Sequence, residues 1–187
     1  MSSKKAEKKK RKEVQKKNKE IYKLKGLLGF VFVVGTIVIA YNTLINIGIV
    51  LLIILAGGLI GFFFDKGKYL STYKLLGWYG YVRSTLFHVF SVGSLASFLI
   101  LFLNYYIPSG PTKSKEYKIT GKHTTKGEKY HTAERRPVFV IVFEGEKREY
   151  TYSHEYLKDM NEYKTISVET QTGLFGFRVV KGETINK

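Results

Sequence analysis

Two long stretches without a charged residue constrain this chain more than any other feature. Residues 26–64 are a run of 39 residues that contains no Asp, Glu, Lys or Arg, and residues 84–107 are a second run of 24. A helix needs about 20 predominantly apolar residues to cross the hydrocarbon core of a bilayer. Both runs exceed that length, so the sequence excludes a single soluble globule and predicts an integral membrane protein.

The first charge-free run is too long for one membrane span. As a single helix it would measure about 58 Å, against a hydrocarbon core of about 30 Å. Its two carboxamides, Asn42 and Asn46, lie in the middle of the run, where a single helix would bury them in lipid. The sequence therefore predicts a transmembrane helical hairpin over residues 26–64, with spans at 24–41 and 45–64 joined by a tight turn.

Residues 65–83 combine cations with aromatic side chains and lead to a third predicted span at 84–107. Tyr and Trp beside Lys and Arg are typical of the headgroup region of a bilayer, so this segment is expected to be an interfacial connection, partly helical. The side chains expected to anchor it at the interface are Trp78, Tyr79, Tyr81, Arg83 and His88.

His88 has an alternative interpretation as part of a proton or ion path. It lies about one turn inside the third span, whereas a group on such a path is expected near the midplane. No acidic residue lies inside any predicted span, which argues against a transporter coupled to protons or sodium. The sequence therefore favours the anchor.

The N-terminal segment, residues 1–25, carries twelve Lys and Arg residues against three Glu. With three spans, the positive-inside rule places this segment and the basic 65–83 connection in the cytoplasm, and the C-terminal domain outside it. Such clusters attract anionic lipid, and without aromatic stacking groups we expect lipid rather than nucleic acid as the partner. A cleaved signal peptide is the alternative, but no small-x-small site ends the long apolar run.

The tail changes to a β pattern after a linker at 108–114 rich in Pro and Gly. Residues 115–187 are predicted to form a small, mostly β domain in the order β-β-β-α-β-β, OB-like or another small barrel. The predicted strands lie at 117–122, 137–143, 147–152, 165–170 and 175–180, with a helix at 154–163 capped by Ser153. Phe139, Ile141 and Phe143 are expected in the core, and Gly173 in a turn that requires a positive φ.

The residues that carry chemistry are few. The chain has no cysteine, which excludes a disulfide framework, a thiolate zinc site and a cysteine nucleophile. Its histidines, His88, His123, His131 and His154, show no metal-binding spacing, and His131 with Glu134 is only a loose pair. We therefore expect no catalytic residue, no metal site and no cofactor, and a protein that is not an enzyme.

Small residues at a spacing of four mark two of the predicted spans. Gly57 and Gly61 form a GxxxG pattern in the second span, and Gly93 and Ser97 have the same spacing in the third. Small side chains allow helices to approach closely in a membrane. The contact has two interpretations that the sequence does not separate: association between subunits, or packing within one chain.

Two functional hypotheses follow. In the first, the chain is a non-enzymatic membrane protein whose C-terminal β domain binds another protein or a ligand as part of an envelope complex, or as an accessory subunit of a channel or translocase. In the second, it is a membrane-perturbing effector whose β domain senses a ligand and whose helices oligomerise. The overall plan is similar to small bacterial defence effectors in which membrane helices precede a β-barrel that senses a cyclic oligonucleotide. That resemblance implies a cytoplasmic β domain and an even number of spans.

Overall fold

The computed structural model describes residues 2–126 and 134–187, with side chains from residue 7 onward. The chain divides into two compact units. The helical unit comprises the residues up to 108 together with 173–178, and the β unit comprises residues 109–172 and 179–187.

Three long helices make up most of the helical unit. They are α1 (Ser2–Asn42), α2 (Ile47–Tyr73) and a third helix over Gly77–Tyr106. The third helix consists of α3 (Gly77–His88), a π-helical segment (Val89–Gly93) and α4 (Ser94–Tyr106). Each of the three is long and apolar enough to cross a membrane, so the expectation of three such helices is confirmed at the level of length and composition.

The chain reverses between α1 and α2 at the two carboxamides. The short strand β1 (Thr43–Leu44) occupies the turn, and the Asn46 side chain accepts a hydrogen bond of 2.7 Å from the backbone N–H of Gly48. Asn46 thereby caps the start of α2, which satisfies one of the N–H groups that a helix leaves free at its first turn. The polar residue in the middle of the apolar run thus starts the second helix.

The connection expected at 65–83 is mostly helical in the structure. Helix α2 continues to Tyr73 and α3 begins at Gly77, which leaves only residues 74–76 between them. Lys74 ends α2 in the left-handed region at φ 53°, and its N–H bonds to the carbonyl of Leu70. The interfacial segment of the sequence analysis is therefore divided between two helices, because its first residues favour continuation of α2.

The third helix contacts both other helices where they carry glycine. A Cβ atom added at Gly29 of α1 would lie 2.9 Å from the carbonyl oxygen of Phe90, and one added at Gly58 of α2 would lie 2.6 Å from Cγ2 of Val89. Both distances are shorter than normal van der Waals contacts. The helices therefore approach more closely than any larger residue at these positions allows.

The β unit contains five strands in a curled antiparallel sheet that forms a half-barrel. The strands are β2 (Lys113–Lys126), β3 (Arg135–Phe143), β4 (Glu146–Thr151), β5 (Thr165–Thr172) and β6 (Arg178–Asn186), in the spatial order β6-β5-β2-β3-β4. The five strands follow one another along the chain in the predicted order. In place of the predicted helix there is a single 3-10 turn at His154–Leu157, and the Ser153 side chain makes no capping hydrogen bond.

Strand β2 joins the two halves of this sheet. Its first part pairs with β5, from Lys113 opposite Thr170 to Lys118 opposite Thr165. Its second part pairs with β3, from Ile119 opposite Ile141 to Lys126 opposite Arg135, with a bulge between Ile119 and Gly121. A bulge bends a strand and increases its twist, so this irregularity accounts for the curl of the sheet.

The core of the β unit follows the predicted alternation along β3. Phe139, Ile141 and Phe143 are all buried, which confirms them as core residues. The turn after β3 places both Glu144 and Gly145 at positive φ, 53° and 89°. This is the two-residue hairpin geometry that matches the twist of antiparallel strands.

The end of the predicted strand pattern needs correction. Strand β6 begins at Arg178, so residues 175–177 are not part of it. Gly173 does not have a positive φ; Gly176 does, at 83°. Gly173 is required for a different reason, because a Cβ at this position would lie 2.6 Å from Nδ2 of Asn104.

We predict opposite effects for two Gly→Ala changes in α2. Gly58→Ala should lower the free energy of unfolding by about 1–3 kcal/mol, because the methyl group overlaps Val89. Gly67→Ala is the matched control, since a Cβ there meets no atom of the described residues within 4 Å, and it should stabilise the helix by up to about 1 kcal/mol. Unfolding of the full chain in detergent micelles measures both. Equal effects of the two variants would contradict the close contact at Gly58.

Candidate functional site

The third helix presents a line of buried polar side chains to the interior of the helical unit. Two of its hydroxyls bond within the helix: Ser91 donates to the carbonyl of Phe87 at 2.7 Å, and Ser94 to that of Phe90 at 2.5 Å. In hydrocarbon such local bonds remove the cost of an unpaired hydroxyl. The buried polar residues of this helix are Ser84, His88, Ser91, Ser94, Ser97 and Asn104.

Side chains from all three helices meet at Asp65 of α2. The Tyr22 hydroxyl donates a hydrogen bond of 3.0 Å to Oδ1 of Asp65, and Nζ of Lys25 donates one of 3.2 Å to Oδ2. Nε2 of His88 lies 3.6 Å from the same Oδ2. The carboxylate is about one-fifth exposed and the imidazole only 1%, so the histidine approaches from the protein interior.

The two ring nitrogens of His88 have different surroundings. Nδ1 lies 2.6 Å from the backbone carbonyl of Ser84, and a carbonyl can only accept, so Nδ1 carries a hydrogen. Nε2 is buried and has no hydrogen-bond partner among the described residues. Nε2 therefore faces the carboxylate of Asp65 at 3.6 Å from inside the protein.

Aromatic rings enclose this cluster. Tyr69 stacks on Phe87 with ring centroids 4.8 Å apart, and Tyr22 meets Tyr69 edge to face at 5.1 Å. Tyr69 also contacts the imidazole of His88 at 5.6 Å. The rings cover the inner side of the cluster, while Lys25 and Asp65 remain 43% and 22% exposed, so solvent screens part of their attraction. The cluster thus links three helices through one carboxylate.

The composition of the cluster determines what it can bind. Asp65 and His88 are two ligands of the types that metals use, but the third group at the carboxylate is the cation of Lys25. No group of three His, Asp or Glu side chains that would hold a metal is found in residues 2–126 and 134–187. His131, half of the loose pair noted in the sequence, lies outside the described residues. The geometry is that of an ion-pair network.

Three of the four small residues singled out in the sequence, Gly57, Gly61 and Gly93, lie where the third helix packs against α2. A Cβ added at Gly57 would be 2.9 Å from Cβ of Ala96, and one at Gly61 would be 2.9 Å from Cβ of Val92. Gly93 faces the carbonyl of Ile54, and Ser97 is fully buried. These contacts are within one chain, and association between subunits stays a prediction.

The five residues expected at the membrane interface fall into different surroundings. Trp78, Tyr79 and Tyr81 are exposed, as a side chain in contact with lipid headgroups must be. Arg83 places its guanidinium 5.7 Å from the centre of the Tyr73 ring. His88 differs from all of them, because its buried ring contacts Asp65 and Ser84 rather than the surface.

Asp65 is the main residue of this cluster that sequence reasoning missed. The predicted second span ends at Phe64, one residue earlier, so the carboxylate was assigned to a connection. A signal was available on the third helix: Ser84, His88, Ser91, Ser94 and Ser97 recur every three or four residues, which places them on one helix face. A polar face on an apolar helix indicates a partner inside the protein.

Comparison of the chain with protein-family models, with curated proteins and with solved structures gives no match.

We predict that Asp65 and His88 are energetically coupled. Asp65→Asn removes the charge, and His88→Asn keeps a donor near the Ser84 carbonyl but removes the nitrogen that faces Asp65. Unfolding of both single variants and the double variant in micelles should give a coupling free energy of about 0.5–3 kcal/mol.

The control cycle combines Asp65→Asn with His123→Asn, since His123 is exposed on β2. In this cycle the two substitutions should change the free energy of unfolding additively. Additive behaviour of Asp65→Asn with His88→Asn as well would show that the two side chains do not interact.

Proposed function

We propose that the chain is a non-enzymatic, multi-pass membrane protein whose β unit binds another protein at the membrane. The observation that carries the proposal is the free edge of the sheet at β4. Strand β4 pairs with β3 along its whole length, from Glu146 opposite Phe143 to Thr151 opposite Val138. It is the last strand in the spatial order, so no strand of the described residues lies on its other side.

A free edge offers a row of backbone donors and acceptors to an extended segment of a partner. Addition of a strand to such an edge is a common mode of peptide recognition. The four charged side chains at the start of β4, Glu146, Lys147, Arg148 and Glu149, oppose indiscriminate pairing with other edges. Charges of both signs on one edge favour a partner strand of complementary charge, which supports selective binding over aggregation.

The proposed orientation follows the distribution of charge. The basic segment 1–25 lies in the cytoplasm against anionic lipid, and the β unit lies outside the cytoplasm. The support is the positive charge concentrated at 1–25 and 65–83, next to three helices that can span a membrane. An odd number of spans puts the two ends of the chain on opposite sides.

The effector hypothesis has less support. It needs the small-residue faces of the helices for contacts between chains. In the structure Gly57 and Gly61 lie against Ala96 and Val92 of the same chain, which leaves these faces occupied. It also needs a cytoplasmic β unit if the sensed ligand is a cytoplasmic messenger.

Photocrosslinking at the β4 edge tests the binding proposal. A photoreactive phenylalanine analogue at Lys147 of the full chain, in native membranes, should give one discrete adduct with another protein. The matched control carries the analogue at Glu155, which is exposed in the 3-10 turn of the same unit, and should give none. If the analogue gave the same adducts at Lys147 and at Glu155, or none at either position, recognition through the edge would be contradicted. An adduct of twice the chain mass would favour self-association, as the effector hypothesis requires.

Cysteine labelling tests the orientation, and the chain is well suited to it because it has no native cysteine. In intact cells a membrane-impermeant maleimide should label Glu155→Cys but not Lys12→Cys. After permeabilisation both should react. Labelling of Lys12→Cys alone in intact cells would invert the topology, and labelling of both or neither would refute three spans.

A further inference from the structure

The connection between β5 and β6 is fastened to the last turn of the third helix. Residues 173–178 belong to the helical unit rather than to the β unit. The buried carboxamide of Asn104 uses both of its ends on this loop: Nδ2 donates to the carbonyl of Phe177 at 3.0 Å, and Oδ1 accepts from the N–H of Phe175 at 2.9 Å. Asn104 is 0% exposed, so these bonds are shielded from water.

The loop is compact because it also bonds to itself. Gly173 donates its N–H to the carbonyl of Phe177 at 3.0 Å, and Gly176 donates to Gly173 at 2.9 Å. Gly173 has no room for a side chain beside Asn104, and Gly176 adopts a φ of 83°. Both glycines are therefore needed for this conformation. The loop has one defined position against the helix.

The depth of the loop follows from the position of Asn104. Arg83 is the last charged residue before the charge-free run of the third helix, and a hydrocarbon core of about 30 Å takes about 20 helical residues. Counted from Ser84, those residues end at Leu103. Asn104 then lies at the boundary between acyl chains and headgroups, followed by Tyr105 and Tyr106, which are typical of that boundary.

The side chains at the tip of the loop suit this depth. Leu174 is 45% exposed and Phe175 is 47% exposed, although both are apolar. No charged residue occurs from Gln171 to Phe177, and Arg178 follows directly. An apolar tip beside a cation matches the order of acyl chain and phosphate at a membrane surface.

We propose that Leu174 and Phe175 insert into the acyl–headgroup boundary of the bilayer, as a membrane contact separate from the three helices. A lipid surface is the occupant that the geometry favours, because Asn104 holds the backbone of Phe175 at the depth where the third span leaves the hydrocarbon. The proposal does not depend on recognition through the β4 edge.

Fluorescence of a single tryptophan tests the insertion. The full chain carrying Trp78→Phe, which removes its only tryptophan, is the background. Phe175→Trp in this background is reconstituted into phosphatidylcholine vesicles whose acyl chains are brominated near the headgroup end. We expect quenching of at least about twofold relative to unbrominated vesicles, and little quenching by aqueous iodide. Glu155→Trp in the same background, exposed in the β unit, should show the reverse.

Two further variants make the result decisive. Leu174→Trp should behave as Phe175→Trp does, which guards against misfolding of one variant. Adding Asn104→Ala to Phe175→Trp should reduce the quenching by brominated lipid, because the loop loses the two bonds that position it.

The opposite results are equally specific. Quenching of both loop variants by iodide and not by brominated lipid would place the tip in water and overturn the proposal. Protection from both quenchers would place it against protein, either a second copy or a partner, and would overturn the proposal as well.

Discussion

The helical unit is shaped by the cost of placing polar groups inside apolar helices, which favours arrangements in which such groups find partners within the protein. Water is absent from the hydrocarbon core, and an unpaired polar group there costs several kcal/mol. The third helix carries six buried polar side chains. Two serines bond within the helix, His88 faces Asp65, and Asn104 bonds to a loop from much later in the sequence. The arrangement of this unit follows from where these partners lie.

Close packing of the helices brings these polar side chains within bonding distance of one another. Glycines of α1 and α2 bring both helices near the backbone of the third, and at that distance Tyr22, Lys25 and His88 all reach Asp65. Bulkier residues at the glycine positions would separate the helices and lengthen these bonds. The small residues and the ion-pair network therefore depend on each other. The glycine contacts and the bonds to Asp65 favour the same rotation of each helix.

The sequence revealed the parts of this fold that depend on local pattern. The charge-free runs indicated three apolar helices, Asn42 and Asn46 located the turn, and alternation along β3 identified Phe139, Ile141 and Phe143 as core. It did not reveal the features that depend on residues distant in sequence. Asp65 is recognisable as a site only beside Tyr22 and His88, and Gly173 only beside Asn104. The short 3-10 turn at His154–Leu157 also differs from the local propensity for a longer helix.

The π-helical segment at Val89–Gly93 sets the angular phase between the two ends of the third helix. His88 and Asn104 are sixteen residues apart, and in a regular α-helix, at about 100° per residue, their side chains would point about 160° away from each other. A π turn accommodates one additional residue, which reduces that angle to about 60°. The extra residue thus allows one helix to direct its histidine and its asparagine inward. If the same residues were rewound as a regular α-helix, the second half of the helix would rotate by about 100°, so that either His88 would lose Asp65 or Asn104 would lose its bonds to the loop; deletion of the one extra residue would instead preserve the phase.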